Sequence, residues 1–266
     1  MTRANGIESA LRHDRIIVLA ALGALAVVAW LYMIREARAM DATGICSCAG
    51  MAMSGPDVKP WAAGAILPLF LMWAEMMVAM MIPSAAPMIL TFAMINRKRH
   101  EQARPFVPTG IFLLGYLFVW TAFSLVAAVA QWALHGASLL SPAMKSSSPL
   151  LAGGLLIAAG VFQWTPWKHA CLNHCRSPLQ FLLHDWRDGA GGALAMGIKH
   201  GAFCAGCCWF LMALLFVAGV MNMLWVAAIA ILVLLEKVAS KRWRLGHGAG
   251  VVLVAWGLWV IVARVA

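Results

Sequence analysis

Three cysteines and a histidine recur at helical spacing within one apolar stretch of the sequence. Residues 196–212 read MGIKHGAFCAGCCWFLM and contain His200, Cys204, Cys207, Cys208 and Met212. At about 100° per residue, His200, Cys204 and Cys207 fall within a narrow arc of a helix, with Cys208 at its edge. Thiolate, imidazole and thioether groups are ligands of soft or borderline metals such as Cu(I) and zinc. The spacing predicts a metal site; a Cys-x-x-Cys redox pair and plain helix packing remain open alternatives.

A second sulfur-rich stretch lies in an earlier apolar segment. Met76, Met77, Met80 and Met81 share one broad face of the predicted helix, and Glu75 points the other way. Thioethers stay neutral and bind Cu(I), so this face suits a copper path through a membrane; a methionine-rich packing face is the alternative. An acid inside an apolar segment is a functional candidate, and Lys199 and Lys237 are its candidate partners.

Two polar segments carry further candidate ligands. Residues 165–189 contain Cys171, His174 and Cys175, which on a helix could approach one ion, and reduced cytoplasmic thiols favour metal over a disulfide. An amphipathic interfacial helix is the alternative. Residues 35–60 contain Cys46, Cys48, Met51 and Met53, a compact sulfur group that could capture Cu(I) or simply belong to a flexible loop.

The composition defines the kind of scaffold that must position these residues. Of 266 residues, 63% are hydrophobic and 11% charged, and the mean hydropathy is +0.84. A soluble domain has only about 45–50% apolar residues, so the sequence predicts an all-α, polytopic membrane protein. The net charge of +10 would suggest nucleic acid in a soluble protein. Here the basic residues cluster in alternate loops, so they indicate membrane topology, and no nucleic-acid partner is expected.

Seven apolar segments are predicted to span the bilayer. They lie at about residues 16–34, 62–95, 108–134, 149–164, 190–220, 222–236 and 248–265. Lysine and arginine concentrate in the N-terminal segment and in 96–107, 165–189 and 237–244, which places the N-terminus in the cytoplasm and the C-terminus outside. We therefore expect one transmembrane domain, 1–266, with an N-terminal anchor helix at 1–34, an external Cys/Met loop at 35–60 and a six-helix core at 61–266.

Three motifs in the same order resemble a known family. They are MWAEMMVAMMIPS at residues 72–84, QWTPWK with Cys171 to Cys175-Arg176-Ser-Pro178, and GAFCAGCCWFLM at residues 201–212. Residues 219–222 and the pair Glu236-Lys237 match as well. The stretch from about 65 to 240 is similar to the bacterial predicted metal-binding integral membrane proteins, a family whose domain has no known function. The resemblance implies a multi-span bacterial membrane protein that binds metal, and it leaves out the loop at 35–60 and the last helix.

These observations favour a copper-handling protein of the bacterial inner (cytoplasmic) membrane, without enzymatic activity. The external loop would capture Cu(I), the methionine face and the cysteine stripe would relay it, and Cys171, His174 and Cys175 would form its cytoplasmic exit. Zinc is the alternative metal. A thiol-disulfide oxidoreductase using Cys204 and Cys207 remains open. So does an assembly factor that delivers metal to a metalloenzyme or exchanges it with a metallochaperone; haem is a weaker reading, because the sequence has no attachment motif.

Overall fold

Helices make up nearly all of the part of the chain that the structure describes. The computed structural model describes residues 2–43, 63–102, 107–141, 144–239 and 245–265. The helices are α1 (Thr2–Thr43), α2 (Ile66–Glu101), α3 (Thr109–Gly136), α4 (Pro149–Phe162), α5 (Pro166–Arg176), α6 (Pro178–Asp185), α7 (Gly189–Ala213), α8 (Leu215–Ala218), α9 (Met223–Val238) and α10 (Leu245–Val265). The all-α prediction is confirmed for these residues.

Five helical segments are long and apolar enough to cross a membrane. They are Ile16–Ala39, Ile66–Glu101, Thr109–Gly136, Gly189–Ala218 and Leu245–Ala263. The other two predicted spans are helices of only 14 and 16 residues, α4 and α9. At 1.5 Å per residue they measure about 21 and 24 Å, against a hydrocarbon core of about 30 Å. Helices α4 and α5 qualify together but are bent by 65°, so the described residues hold five candidate spans, or up to six, rather than seven.

Two short helices occupy most of the segment that was predicted to be a basic loop. Thr165 caps α5 by accepting a hydrogen bond from the Lys168 backbone N–H at 3.3 Å, and Pro166 occupies the first turn. Pro178 likewise occupies the first turn of α6, which begins without a side-chain cap. Buried residues on each of these helices face the bundle, so the segment packs against the bundle and helps to build its core.

A proline in α2 provides the point at which α1 attaches. Pro83 has no backbone N–H, so it leaves the carbonyl of Ala79 without its usual partner inside the helix. The indole Nε1 of Trp30 in α1 donates to this carbonyl oxygen at 3.1 Å. An aromatic donor on one helix thus satisfies the acceptor that a proline frees on the next, which orients α1 against α2.

Glycines let two pairs of helices approach closely. A Cβ atom on Gly115 of α3 would lie 2.3 Å from the Leu194 carbonyl oxygen of α7, and one on Gly197 would lie 2.1 Å from the Phe112 oxygen. Gly153 and Gly160 of α4 meet α10 in the same manner, with 2.8 Å from each Cβ position to the oxygens of Gly257 and Gly250. Small residues at such crossings are typical of helix packing in membranes.

Candidate metal centre

The bend between α4 and α5 brings two cysteines of α5 against α7. Cys171 and Cys175 lie one turn apart on the same side of α5 and are 7% and 8% exposed. The Cys171 sulfur packs over Gly206 of α7, 3.1 Å from the place that a Cβ atom would occupy. Because Gly206 has no side chain, α5 can lie directly on the cysteine-bearing face of α7.

Four thiols meet where these two helices touch. The Cys175 side chain lies close enough to those of Cys204 and Cys207 to interact with them electrostatically, and so does the Cys208 side chain. Cys207 and Cys208 also lie 3.0 Å from the carbonyl oxygen of Cys204, to which both thiols donate. All four residues are buried free cysteines. We call Cys175, Cys204, Cys207 and Cys208 the thiol cluster.

Two polar side chains from other helices contact Cys204, and a third binds one of them. The Lys237 ammonium of α9 donates to the Cys204 sulfur at 2.9 Å and to the Ser84 hydroxyl of α2 at 2.8 Å. The Tyr116 hydroxyl of α3 lies 3.1 Å from the same sulfur and 3.2 Å from the Met81 carbonyl oxygen. Cys204 is therefore the point at which α2, α3, α7 and α9 are joined by polar contacts.

A buried ion pair lies beside the thiol cluster. The Lys168 ammonium of α5 donates to Glu236 Oε2 of α9 at 2.7 Å and also to the side-chain oxygen of Gln163. The two charged side chains are only 1% and 2% exposed. Arg176 donates through Nε to the Glu236 carbonyl oxygen at 2.6 Å, near the C-terminal end of α9. The α4–α5 bend thus places irregular backbone next to the thiol cluster, and the end of α9 places charge there. Membrane proteins with broken helices build their binding sites from the same features.

His200 is held by aromatic rings one turn before Cys204. It is 3% exposed, and its ring stacks on those of Tyr116 and Phe112, with centroids 5.5 and 6.2 Å away. Its Nδ1 atom is buried and makes no hydrogen bond within the described chain. The imidazole is therefore near the cluster but is packed among aromatic side chains.

The other predicted ligands fall into three groups. Met76, Met77, Met80, Met81 and Met212 are all 2% exposed or less. His174, by contrast, is exposed and stacks on Phe203, away from the two α5 cysteines with which it was grouped. Cys46, Cys48, Met51 and Met53 lie outside the described residues. Within the described part of the chain, no three Cys, His, Asp or Glu side chains are arranged as ligands around a single ion.

Neither candidate partner of Glu75 contacts it. Lys199 pairs with Asp185 at 2.6 Å on the surface, and Lys237 is directed at Cys204. Glu75 Oε1 is buried without a hydrogen bond in the described chain. Charge alone could not identify the partners, because the helix rotations that aim each lysine depend on packing.

The sequence interpretation missed several side chains of the site. Tyr116 was not singled out, Ser84 and Lys168 appeared only within family motifs, and Lys237 appeared in a family signature and as a candidate partner of Glu75. A usable signal was present: Glu236 and Lys237 are adjacent charges at the end of an apolar segment. Such charges inside a membrane protein usually pair with one another or with functional groups.

In the part of the chain that the structure describes, the fold and the site together define a class: an all-helical protein with five candidate spans, or up to six, and a buried cluster of four thiols linked to a lysine. The chain belongs to the PpoB2 copper chaperone family, whose model matches residues 70–260. No curated protein and no solved structure matches the chain. The match confirms the expectation of a metal-related family and a copper-related role. The residues matched by the family model include α10 as far as residue 260. The resemblance described under Sequence analysis ended at about residue 240 and did not include this helix.

Proposed function

We propose that this protein is a membrane-embedded copper chaperone that holds Cu(I) at the thiol cluster and passes it to a partner protein. The observation that carries the proposal is that α5 lies directly on α7 at Gly206 and brings the buried, free Cys175 within interaction range of the buried, free Cys204 and Cys207. Thiolates are preferred ligands of Cu(I), and the family assignment points to the same metal. Four neighbouring thiols offer more ligands than a two- or three-coordinate ion needs, which favours stepwise exchange and release.

Lys237 supplies the charge that such a site requires. Cu(I) bound by two thiolates carries one net negative charge, which is costly to bury in a low-dielectric interior. The Lys237 ammonium at the Cys204 sulfur would make the group neutral. In the metal-free protein, the same ammonium would balance one thiolate.

The membrane setting completes the proposal. The chain would cross the bacterial inner membrane with its N-terminus in the cytoplasm and its C-terminus outside, and residues 1–266 would form one domain. Cys46, Cys48, Met51 and Met53 would collect copper outside, and the methionine face of α2 would lead it inward. Delivery to a metalloenzyme is favoured over free transport, because the family is one of chaperones.

Metal content tests the thiol cluster directly. We expect purified protein to retain about one tightly bound Cu(I) per chain and the Cys204→Ser/Cys207→Ser/Cys208→Ser variant to lose this ion, since serine oxygen is a poor ligand for a soft ion. X-ray absorption of the bound ion should show sulfur ligands at low coordination number. The matched control is Cys171→Ser, which changes a buried cysteine of α5 outside the cluster and should leave loading intact.

Three results would contradict this assignment. Unchanged loading in the triple-serine variant would place the metal elsewhere. Tetrahedral zinc with sulfur and nitrogen ligands would indicate a structural site. A reversible disulfide between Cys204 and Cys207 in a metal-free protein would favour the oxidoreductase alternative.

Removing the charge of Lys237 should weaken copper binding. We expect Lys237→Met to lower Cu(I) affinity about tenfold or more, because opposite charges about 4 Å apart attract by about 4 kcal/mol at an effective dielectric constant of 20. Lys237→Arg keeps the charge and should retain most of the affinity. Competition with a chromophoric Cu(I) chelator measures both variants, and equal affinities for the methionine variant and the parent would refute the charge argument.

A further inference from the structure

An open cavity lies on the outer side of α5 and α6, away from the thiol cluster. Its volume is about 430 Å³, and its walls include His174 and Ser177 from α5 and its end, and Phe181, His184 and Asp185 from α6. Both histidines are exposed. Two imidazoles on different helices thus face one solvent-accessible space.

The ring of His174 is held in a fixed orientation. Its Nδ1 lies 2.9 Å from the Ala170 carbonyl oxygen, and the ring stacks on Phe203 with centroids 4.0 Å apart and planes 7° apart. A carbonyl oxygen only accepts hydrogen bonds, so in the neutral imidazole this contact places the proton on Nδ1 and leaves the lone pair of Nε2 available. A backbone bond at one ring nitrogen that leaves the other nitrogen free is the usual arrangement of a histidine metal ligand.

The groups around His184 would bind a metal cation weakly enough for the ion to be received and released. Asp185 places a carboxylate at the cavity wall, and Lys199 binds its Oδ1 at 2.6 Å, so the carboxylate is partly neutralised. The cavity has room for water or for ligands of another protein beside the two imidazoles. A site with two protein ligands and open positions can receive or release an ion quickly, whereas a closed four-ligand cage cannot.

We propose that His174 and His184 form a second metal site, at which a copper ion is exchanged between the thiol cluster and a soluble partner. The identity of the metal rests on the proposed function; the imidazole site itself does not. Its place in the chain fits this role, because His174 adjoins Cys175, and its stacking partner Phe203 adjoins Cys204. The site uses His174 with a histidine of α6, and the α5 thiols take no part in it.

The experiment uses Cu²⁺ and the full chain in detergent, with Cys204, Cys207 and Cys208 changed to serine so that the thiol cluster does not compete for the ion. Electron paramagnetic resonance should show one Cu²⁺ with two imidazole nitrogens. His174→Phe keeps the ring stack on Phe203 but removes the ligand, and we expect it and His184→Ala each to weaken binding about tenfold or more. His247→Ala, which changes an exposed histidine of α10, should have no effect.

Two outcomes would overturn the proposal: a spectrum without coupling to two nitrogens, or an affinity that His174→Phe leaves unchanged. If the triple-serine background does not fold, Ni²⁺ binding by the otherwise unaltered chain is compared with and without His174→Phe, and loss of one bound equivalent is the expected result. Failure of the thiol cluster to bind Cu(I) would refute the proposed function while leaving the imidazole spectrum intact, so the two failures are distinguishable.

Discussion

Lys168→Met is expected to destabilise the protein by about 3–5 kcal/mol, which makes it one of the most damaging single changes in the chain. Lys168 and Glu236 are 1% and 2% exposed, and their 2.7 Å contact joins α5 to α9. Removing the ammonium leaves the Glu236 carboxylate buried without its counter-ion, because Arg176 binds only the backbone carbonyl of that residue. The carboxylate must then draw in water or take up a proton, and the side-chain oxygen of Gln163 also loses the ammonium that donates to it.

The measurement is thermal unfolding in detergent, followed by circular dichroism. Lys199→Met provides the matched control, since its ion pair with Asp185 is 48% and 22% exposed and such pairs contribute about 0–1 kcal/mol. Lys168→Met/Glu236→Gln should recover much of the lost stability by removing the orphaned charge. Equal melting temperatures for the Lys168 and Lys199 variants would contradict the prediction.

Gly197→Leu should cost about 3 kcal/mol or more, because it forces side-chain atoms into backbone. A Cβ atom there would lie 2.1 Å from the Phe112 carbonyl oxygen and 3.1 Å from the Gly115 Cα. Neither atom can rotate out of the way, so α3 and α7 must separate. That separation would also move Tyr116 away from Cys204, and copper binding should weaken together with stability.

The same substitution elsewhere on α7 separates this effect from helix propensity. Gly191 has nothing within 4 Å of its Cβ position and is exposed. Leucine is a better helix former than glycine, so Gly191→Leu should be neutral or stabilising by up to about 1 kcal/mol. Melting temperature and Cu(I) loading are measured on both variants. A Gly197 variant as stable as the Gly191 variant would show that the crossing tolerates a side chain.

Helix class and core residues could be predicted because they depend on local periodicity and apolar content. Met76, Met77, Met80 and Met81 were expected on one face, and all four are buried. The number of spans was less predictable. Hydropathy marks α4 and α9 as apolar, but a window average does not register that they end after 14 and 16 residues. Helix α4 ends where Thr165 and Pro166 start α5 at a 65° bend, and α9 ends just after the buried charges Glu236 and Lys237.

Part of the candidate site could likewise be predicted from the sequence, and part depends on how the helices pack. The sequence by itself determined that His200, Cys204, Cys207 and Cys208 would share a helix surface, since a 3.6-residue repeat brings side chains three and four apart together. Only the tertiary structure decided that Cys175 joins them while His174 turns to the outside, and that Lys237 meets Cys204 across 33 residues of chain. The physical reason is that contacts between helices depend on crossing angles, bends and glycine approaches, which no repeat along a single helix encodes.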